Sequence, residues 1–213
     1  MKFRRTTLAR DKSLVGISFD DGPSLHTPRV LEILKSFGSS ATFFWIVENA
    51  VKLKREEPET FEQIIIMVKE TDSEIGLHAP YDYKPNLMSR ILGKFTKQEI
   101  REAKVKLEEL IGLQISLYRP HYLQLGRSTL FAHELGLTTV WGDLIHYAEP
   151  DTLREYQIRK FSNAKPGNIL IFHDGNTILR KTTNVTEVLP SVLKNLNEKG
   201  LHGITVSRVI DLK

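Results

Sequence analysis

Short β-like runs and longer amphipathic runs alternate along the chain. Val15–Phe19 is apolar and branched, and Thr27–Phe37 follows with Val30, Leu31 and Leu34 at helical spacing. Ala41–Val47 (ATFFWIV) reads as a strand, and about Pro58–Thr71 as a helix that tolerates Pro58 in its first turn. Glu74–Leu77 is a short strand, and HAPYDYKPNLMS after it a long polar loop. Thr96 and Glu99 form a capping-box pattern, opening a helix that runs to about Ile111 and stops at Gly112. Ile115–Tyr118 is a strand, Ser128–Leu135 a helix, Thr138–Trp141 a strand and Leu153–Ala164 a helix. After the Pro166-Gly167 turn, Asn168–Phe172 reads as a buried strand, Val185–Lys199 as the last helix and Gly203–Val209 as the last strand.

Strand–helix alternation repeated about seven times predicts an α/β protein with a parallel sheet closed as a TIM-barrel-like structure. No linker, repeat or low-complexity segment interrupts it, so residues 1–213 read as a single domain. In such folds reactive groups gather at the carboxyl ends of the strands. Here strand one ends in Asp20-Asp21, and strand three in His78 with Asp82 four residues on. Strand four ends in Arg119, then Pro120, His121 and Tyr122. Strand five leads to Trp141 and Asp143, and strand six to His173-Asp174. Five strands thus deliver ionisable groups to one rim. Other features have plainer readings: Trp45 as core, His26, His133 and His202 as surface or core polar residues, and Asn184-Val185-Thr186 as a helix start.

Composition narrows the chemistry. The chain has no cysteine, which excludes disulfides, thiolate catalysis and sulfur metal ligands. A net charge of +4 is spread through the helices without stacking aromatics or a recognition motif, so nucleic acid is not an expected partner. No apolar stretch approaches the roughly 20 residues of a membrane span. The start, MKFRRTTLARDKS, is basic but lacks an apolar core, which predicts a cytoplasmic protein, or a secreted one whose export signal was removed. Oxygen and imidazole ligands suit zinc, cobalt or another divalent ion with a water in an open position. Adjacent Asp20 and Asp21 repel one another and need different partners. One can ligate a metal while the other accepts a proton from water. Arg119 can hold the second ionised, and His173 can protonate a leaving group.

At these residues the chain resembles the NodB-homology polysaccharide deacetylases, carbohydrate esterase family 4. Ser18-Phe19-Asp20-Asp21-Gly22-Pro23 is similar to the first family motif, (T/S)FDDGP, and Ala41-Thr42-Phe43-Phe44 continues the likeness. His78-Ala-Pro-Tyr-Asp82 stands where the family has H(S/T)xxH, Arg119-Pro120-His121-Tyr122 where it has RPPY, and Ile169 to Asp174 where it has its final LHD-type motif. The resemblance implies a distorted (β/α)7 barrel that removes acetyl groups from N-acetylglucosamine-containing glycans, chitin-type oligomers or peptidoglycan among them. It implies no protein partner. It makes Asp20 the general base, tethered by Arg119, and His173 the general acid. Asp21, His78 and Asp82 become the metal ligands. Substrate contacts fall to the Tyr122 N–H at the oxyanion, to His121 beside it, and to Trp141 and Ile171 around the acetyl methyl.

Three positions depart from the family pattern. Position 82 is Asp where the third ligand is usually His, which would make the site neutral and the metal a weaker Lewis acid. His121 replaces the second proline of RPPY. The fourth motif is blurred as Trp141-Gly-Asp143-Leu-Ile-His146-Tyr147, with Asp143 the candidate to tune His173 and His146 the competitor for that position. Two alternatives follow: a weak or inactive homologue that binds glycan, and a hydrolase of the same fold acting on another non-peptide C–N bond. The loop from Pro80 to Gly93 is expected to border the substrate groove.

Overall fold

The computed structural model describes residues 13–124, 126–146, 154–176 and 184–210. Its centre is β1 (Leu14–Gly22), buried along nearly its whole length, with apolar Val15, Ile17 and Phe19 alternating with Gly16, Ser18 and Asp20. β1 pairs in parallel with β2 (Thr42–Ile46) on one side and β7 (Ile169–His173) on the other, while β8 (His202–Ile204) joins its first residues. Outward from β2 come β3 (Glu74–Ala79), β4 (Leu117–Tyr118) and β5 (Thr138–Thr139), and outward from β7 comes β6 (Leu144–Ile145). The order β5-β4-β3-β2-β1-β7-β6, parallel throughout, is a curled sheet, the distorted (β/α)7 barrel of the α/β class.

Two apolar cores flank this sheet. The outer one joins Ile17, Phe19, Phe43, Trp45, Leu170 and Phe172 to the covering helices α1 (Thr27–Ser36), α2 (Val47–Glu56), α3 (Pro58–Glu70), α5 (Lys97–Ile111) and α8 (Val185–Glu198). Its spine is a run of stacked rings, Phe43–Phe19–Phe172–Phe161, at centroid separations of 5.0, 5.5 and 4.6 Å. Phe161 comes from α7 (Arg154–Ser162). The inner core holds Phe44, Leu117, Val140, Ile169 and Ile204, with Val206, Val209 and Ile210 of α9 (Val206–Val209) and its cap inserted from below.

That plug corrects the expected last strand, which stops at Ile204. Ile204 and Val206 alternate as in a strand, but Val206, Val209 and Ile210 recur at helical spacing, and the Val206 N–H turns away to Thr42 Oγ1 at 2.7 Å. α9 therefore closes the end of the barrel where the strands begin, leaving their carboxyl ends open. Two further helices were not expected. α2 follows β2 without a break, carrying only Val47, Ala50 and Leu53 as its buried stripe. α4 (Leu87–Leu92) forms inside the polar loop, started by an Asn86–Ser89 capping box. The Thr96–Glu99 capping box on α5 is as expected, as is the stop at Gly112 in the left-handed region (φ 68°). The remaining helix, α6 (Arg127–Glu134), packs against α5. Trp45 is fully buried, and His26, His133 and His202 are exposed.

Candidate active site

Ser18 and Asp20 share one face of β1, opposite Ile171 and His173 of β7, their register partners. Strict alternation would turn Asp21 to the other face. Instead the pairing with β2 slips between Asp20 and Gly22, and Asp21 takes a positive φ of 71°. This bulge re-aims Asp21, so two consecutive carboxylates reach the same rim. The backbone is held there from both sides. Asn49 Nδ2 donates to the Asp21 carbonyl at 2.8 Å, and Gly175 passes so close that a Cβ there would stand 2.0 Å from the same oxygen.

The carboxylates have separate partners. Arg119, fully buried, donates through Nη1 to Asp20 Oδ1 and to Ser18 Oγ, each at 2.8 Å, and Ser18 passes its own hydrogen on to the Leu170 carbonyl. The guanidinium lies 4.1 Å from the centroid of the Phe44 ring. Gly76 makes that stack fit, since a Cβ there would meet the ring at 2.7 Å.

Asp21 faces two imidazoles instead. Its Oδ1 is 3.3 Å from His78 Nε2 and 3.5 Å from His121 Nδ1, and those nitrogens are 2.9 Å apart. The outer nitrogen of each ring is engaged: His78 Nδ1 with the Arg119 carbonyl at 2.8 Å, and His121 Nε2 with Asp82 Oδ1 at 2.8 Å. Carbonyl and carboxylate oxygens only accept, so both outer nitrogens carry hydrogen, and in the neutral rings both inner nitrogens turn lone pairs toward one another and toward Asp21. Three such acceptors converging in a buried space are stabilised by positive charge between them, a proton on an imidazole or a metal ion. Their separations resemble the edges, about 3.3 Å, of a tetrahedron with bonds of about 2.0 Å, so the residues fit a zinc-like ion. Among the described residues, these three form the group able to hold a metal.

The field agrees. Burial alone would raise the Asp21 pKa, but the His78 hydrogen bond and the charges of His173, His78 and His121 hold it well below the usual carboxylate range. Burial opposes charge on His78, yet Asp20 and Asp21 outweigh it and raise its pKa. Burial pulls His121 down, with the Asp82 hydrogen bond resisting. The centre attracts positive charge, and a divalent ion answers the same demand as a proton.

His173 ends β7 beside Asp20, so the rim reads His173, Asp20, Asp21, His78, His121 across the sheet. Ile171 is buried one step below His173, and Gly142 packs against it, bringing half-buried Trp141 alongside in sequence. Tyr122 and Leu123 have φ of 57° and 53°, a sharp reversal just after β4, and the Tyr122 hydroxyl ties it to the Tyr83 carbonyl at 3.0 Å. Two expected placements differ. Asp82 lies outside the converging group, on the far side of the His121 ring, because its Oδ1 is bonded to His121 Nε2 and to the Tyr83 N–H. Asp143 does not stand at His173. Its Oδ2 accepts from the Ile169 N–H at 2.8 Å, at the opposite end of β7, roughly 13 Å of strand away. The pairing of β6 with β7 instead carries buried His146 up to Phe172, with ring centroids 5.7 Å apart. Tyr147, from the same blurred motif, lies outside the described residues, as do Leu153 and residues 1–12.

Asp174 is a site residue the motif reading left without a role. It is fully buried, accepts from Thr27 Oγ1 at 2.5 Å, and its carbonyl receives the Ser24 hydroxyl, so it fixes the turn after the two aspartates. Burial first, and then the charges of Asp21 and Asp20, push its carboxyl up to about 7 against the Thr27 hydrogen bond. The folded chain then holds a proton that the unfolded chain releases near pH 4, so stability falls as pH rises from about 4 to about 7. Asp174→Asn keeps an acceptor for Thr27 and removes that slope. Between pH 5 and pH 8 the chelator-treated variant should gain about 2.7 kcal/mol on the wild type, roughly 5–11 °C in relative Tm. Parallel Tm-against-pH curves would contradict the raised carboxyl.

The fold and the rim define the class: a parallel α/β barrel carrying a carboxylate–imidazole centre of hydrolytic type at its strand ends. The chain belongs to the polysaccharide deacetylase family, whose profile matches residues 8–140. It is 30% identical over 172 residues to a chitooligosaccharide deacetylase of Azorhizobium caulinodans, covering 79% of this chain and 77% of that protein. It is 24% identical over 208 residues to a bifunctional xylanase/deacetylase of Pseudobutyrivibrio xylanivorans; the match takes in 97% of this chain but only 32% of that longer protein. In structure it resembles the Xyl-CE4 domain of a multidomain xylanase from the hindgut metagenome of Trinervitermes trinervoides. There the TM-score is 0.73 at 23% identity, covering 94% of this chain and 91% of that one. No helix among the described residues is long and apolar enough to cross a membrane.

Proposed function

We propose that residues 1–213 act as one metal-dependent deacetylase domain that removes N-acetyl groups from N-acetylglucosamine-containing poly- or oligosaccharides. The observation that carries this reading is the division of labour between adjacent carboxylates: Asp20 belongs to Arg119, and Asp21 to the imidazole pair. The chitooligosaccharide deacetylase and the peptidoglycan-N-acetylglucosamine deacetylases among the relatives support the substrate class.

Asp21, His78 and His121 would hold the divalent ion, zinc or cobalt by their donor chemistry. When bound, such an ion polarises a carbonyl and acidifies water. Asp20 takes the proton of the attacking water, and Arg119 keeps its carboxylate oriented. Water oxygen adds to the amide carbon, and the Tyr122 N–H helps to receive the charge that develops on the carbonyl oxygen. His173, on the other side of Asp20, gives its proton to the leaving nitrogen as the C–N bond breaks. Acetate and a free amine result. Ile171 and Trp141 form the apolar wall for the acetyl methyl.

The direct test is acetate release from N-acetylglucosamine oligomers with zinc or cobalt, and again with a chelator. Release that falls to background on chelation and returns with metal is the expected result. Glycan binding without release under any metal would favour the inactive homologue, and turnover of small amides alone would favour the other C–N hydrolase.

A further inference from the structure

The loops after β3 and β4 meet at the metal-binding group, and each carries a residue that departs from the family pattern. Asp82 stands where a ligating histidine is usual, and His121 where a proline is usual. In space the two departures touch: His121 Nε2 and Asp82 Oδ1 are 2.8 Å apart. The histidine that the β3 loop lacks is supplied by the β4 loop, at the same centre.

We infer that the two loops have exchanged duties: His121 is the third metal ligand, through Nδ1, and Asp82 is a positioning carboxylate that orients it from outside the coordination shell. This rests on the metal site proposed above and deepens it. Asp82 Oδ1 accepts from both His121 Nε2 and the Tyr83 N–H, so it is already fixed before any ion arrives. A carboxylate there keeps the hydrogen on Nε2 and the lone pair on Nδ1, and makes the imidazole a better donor. Packing fixes the ring as well. His121 is buried, with the Tyr122 ring at 4.1 Å, the His78 ring edge-on at 4.7 Å and the Tyr83 ring edge-on at 5.5 Å. The loops are further joined by the Tyr83 hydroxyl to Gln124 Oε1 at 3.1 Å and by the Tyr122 hydroxyl to the Tyr83 carbonyl. One consequence reverses the expectation of a neutral site. With Asp82 outside the shell, Asp21 is the single anionic ligand, and a divalent ion keeps a net positive charge to polarise a carbonyl.

The test reads metal binding without substrate. Cobalt affinity and the visible cobalt spectrum are measured for the wild type, Asp82→Asn, Asp82→Ala and His121→Ala, with far-UV circular dichroism confirming each fold. Asp82→Asn and Asp82→Ala should weaken binding about 10- to 100-fold while keeping the shape of the spectrum. His121→Ala should weaken it further and change the spectrum, since a ligand is lost. If His121→Ala does not fold, the imidazole 15N shifts of the zinc-loaded wild type decide instead, with His121 expected to be metallated at Nδ1 and protonated at Nε2. A spectrum changed by Asp82→Asn, or a zinc-loaded His121 protonated at Nδ1, overturns the exchange. So does unaltered affinity in both Asp82 variants. A wild type that binds metal through Asp82 overturns this inference alone, whereas a wild type that binds no metal overturns the proposed site with it.

Discussion

Asp20→Asn is expected to slow acetate release by about 100- to 10,000-fold, the range a positioned general base contributes. Cobalt affinity should stay close to that of the wild type. The amide retains an oxygen for Arg119 Nη1 but cannot take a proton from water, so the tether survives and the base does not. Asp21, His78 and His121 are untouched, which is why metal loading separates the two carboxylates. The assay pairs initial rates at saturating metal with a cobalt titration. An Asp20→Asn protein of full activity would sink the mechanism, and one that has lost its metal would make Asp20 a ligand and return the base role to Asp21.

The strands and the rim were legible because the signals were local. Period-two and buried runs marked β1, β2, β3 and β7, and ionisable residues stood directly after them. What stayed hidden depended on backbone detours and on contacts between distant loops. The bulge at Asp21 leaves no trace in composition, yet it alone explains how neighbours in sequence reach one rim. Asp82 and His121 are 39 residues apart and looked like two separate blemishes. Their contact makes them one feature, and the clue was present: an imidazole read as a substrate contact stood on the same rim as a carboxylate in a histidine's place. Asp143 failed for a different reason. The short β6 sets its register on β7 so that Asp143 meets Ile169, and motif spacing cannot show which end of a strand a loop residue reaches. α9 was misread because Ile204 and Val206 prolong the strand alternation into a helix of only four residues, and the bond from the Val206 N–H to Thr42 turns the chain there.

Arg119→Leu is expected to have the largest effect on stability. The guanidinium is fully buried, and removing it leaves Asp20 as an uncompensated charge beneath the rim. Breaking a buried pair from one side costs about 3–5 kcal/mol, roughly 6–20 °C in Tm for a chain of this size. Removing both charges should cost less, because no unpaired ion remains. Arg119→Leu combined with Asp20→Asn is therefore expected to melt above Arg119→Leu alone, a positive coupling that thermal denaturation of the four proteins would measure. Equal Tm values for the single and double variants would mean that Arg119 acts through its packing on Phe44 and not through its charge. The recovered double variant should have no deacetylase activity. A fold that tolerates an uncharged replacement at this pair, but loses its chemistry, retains the buried charges for the work of Asp20 and not for stability.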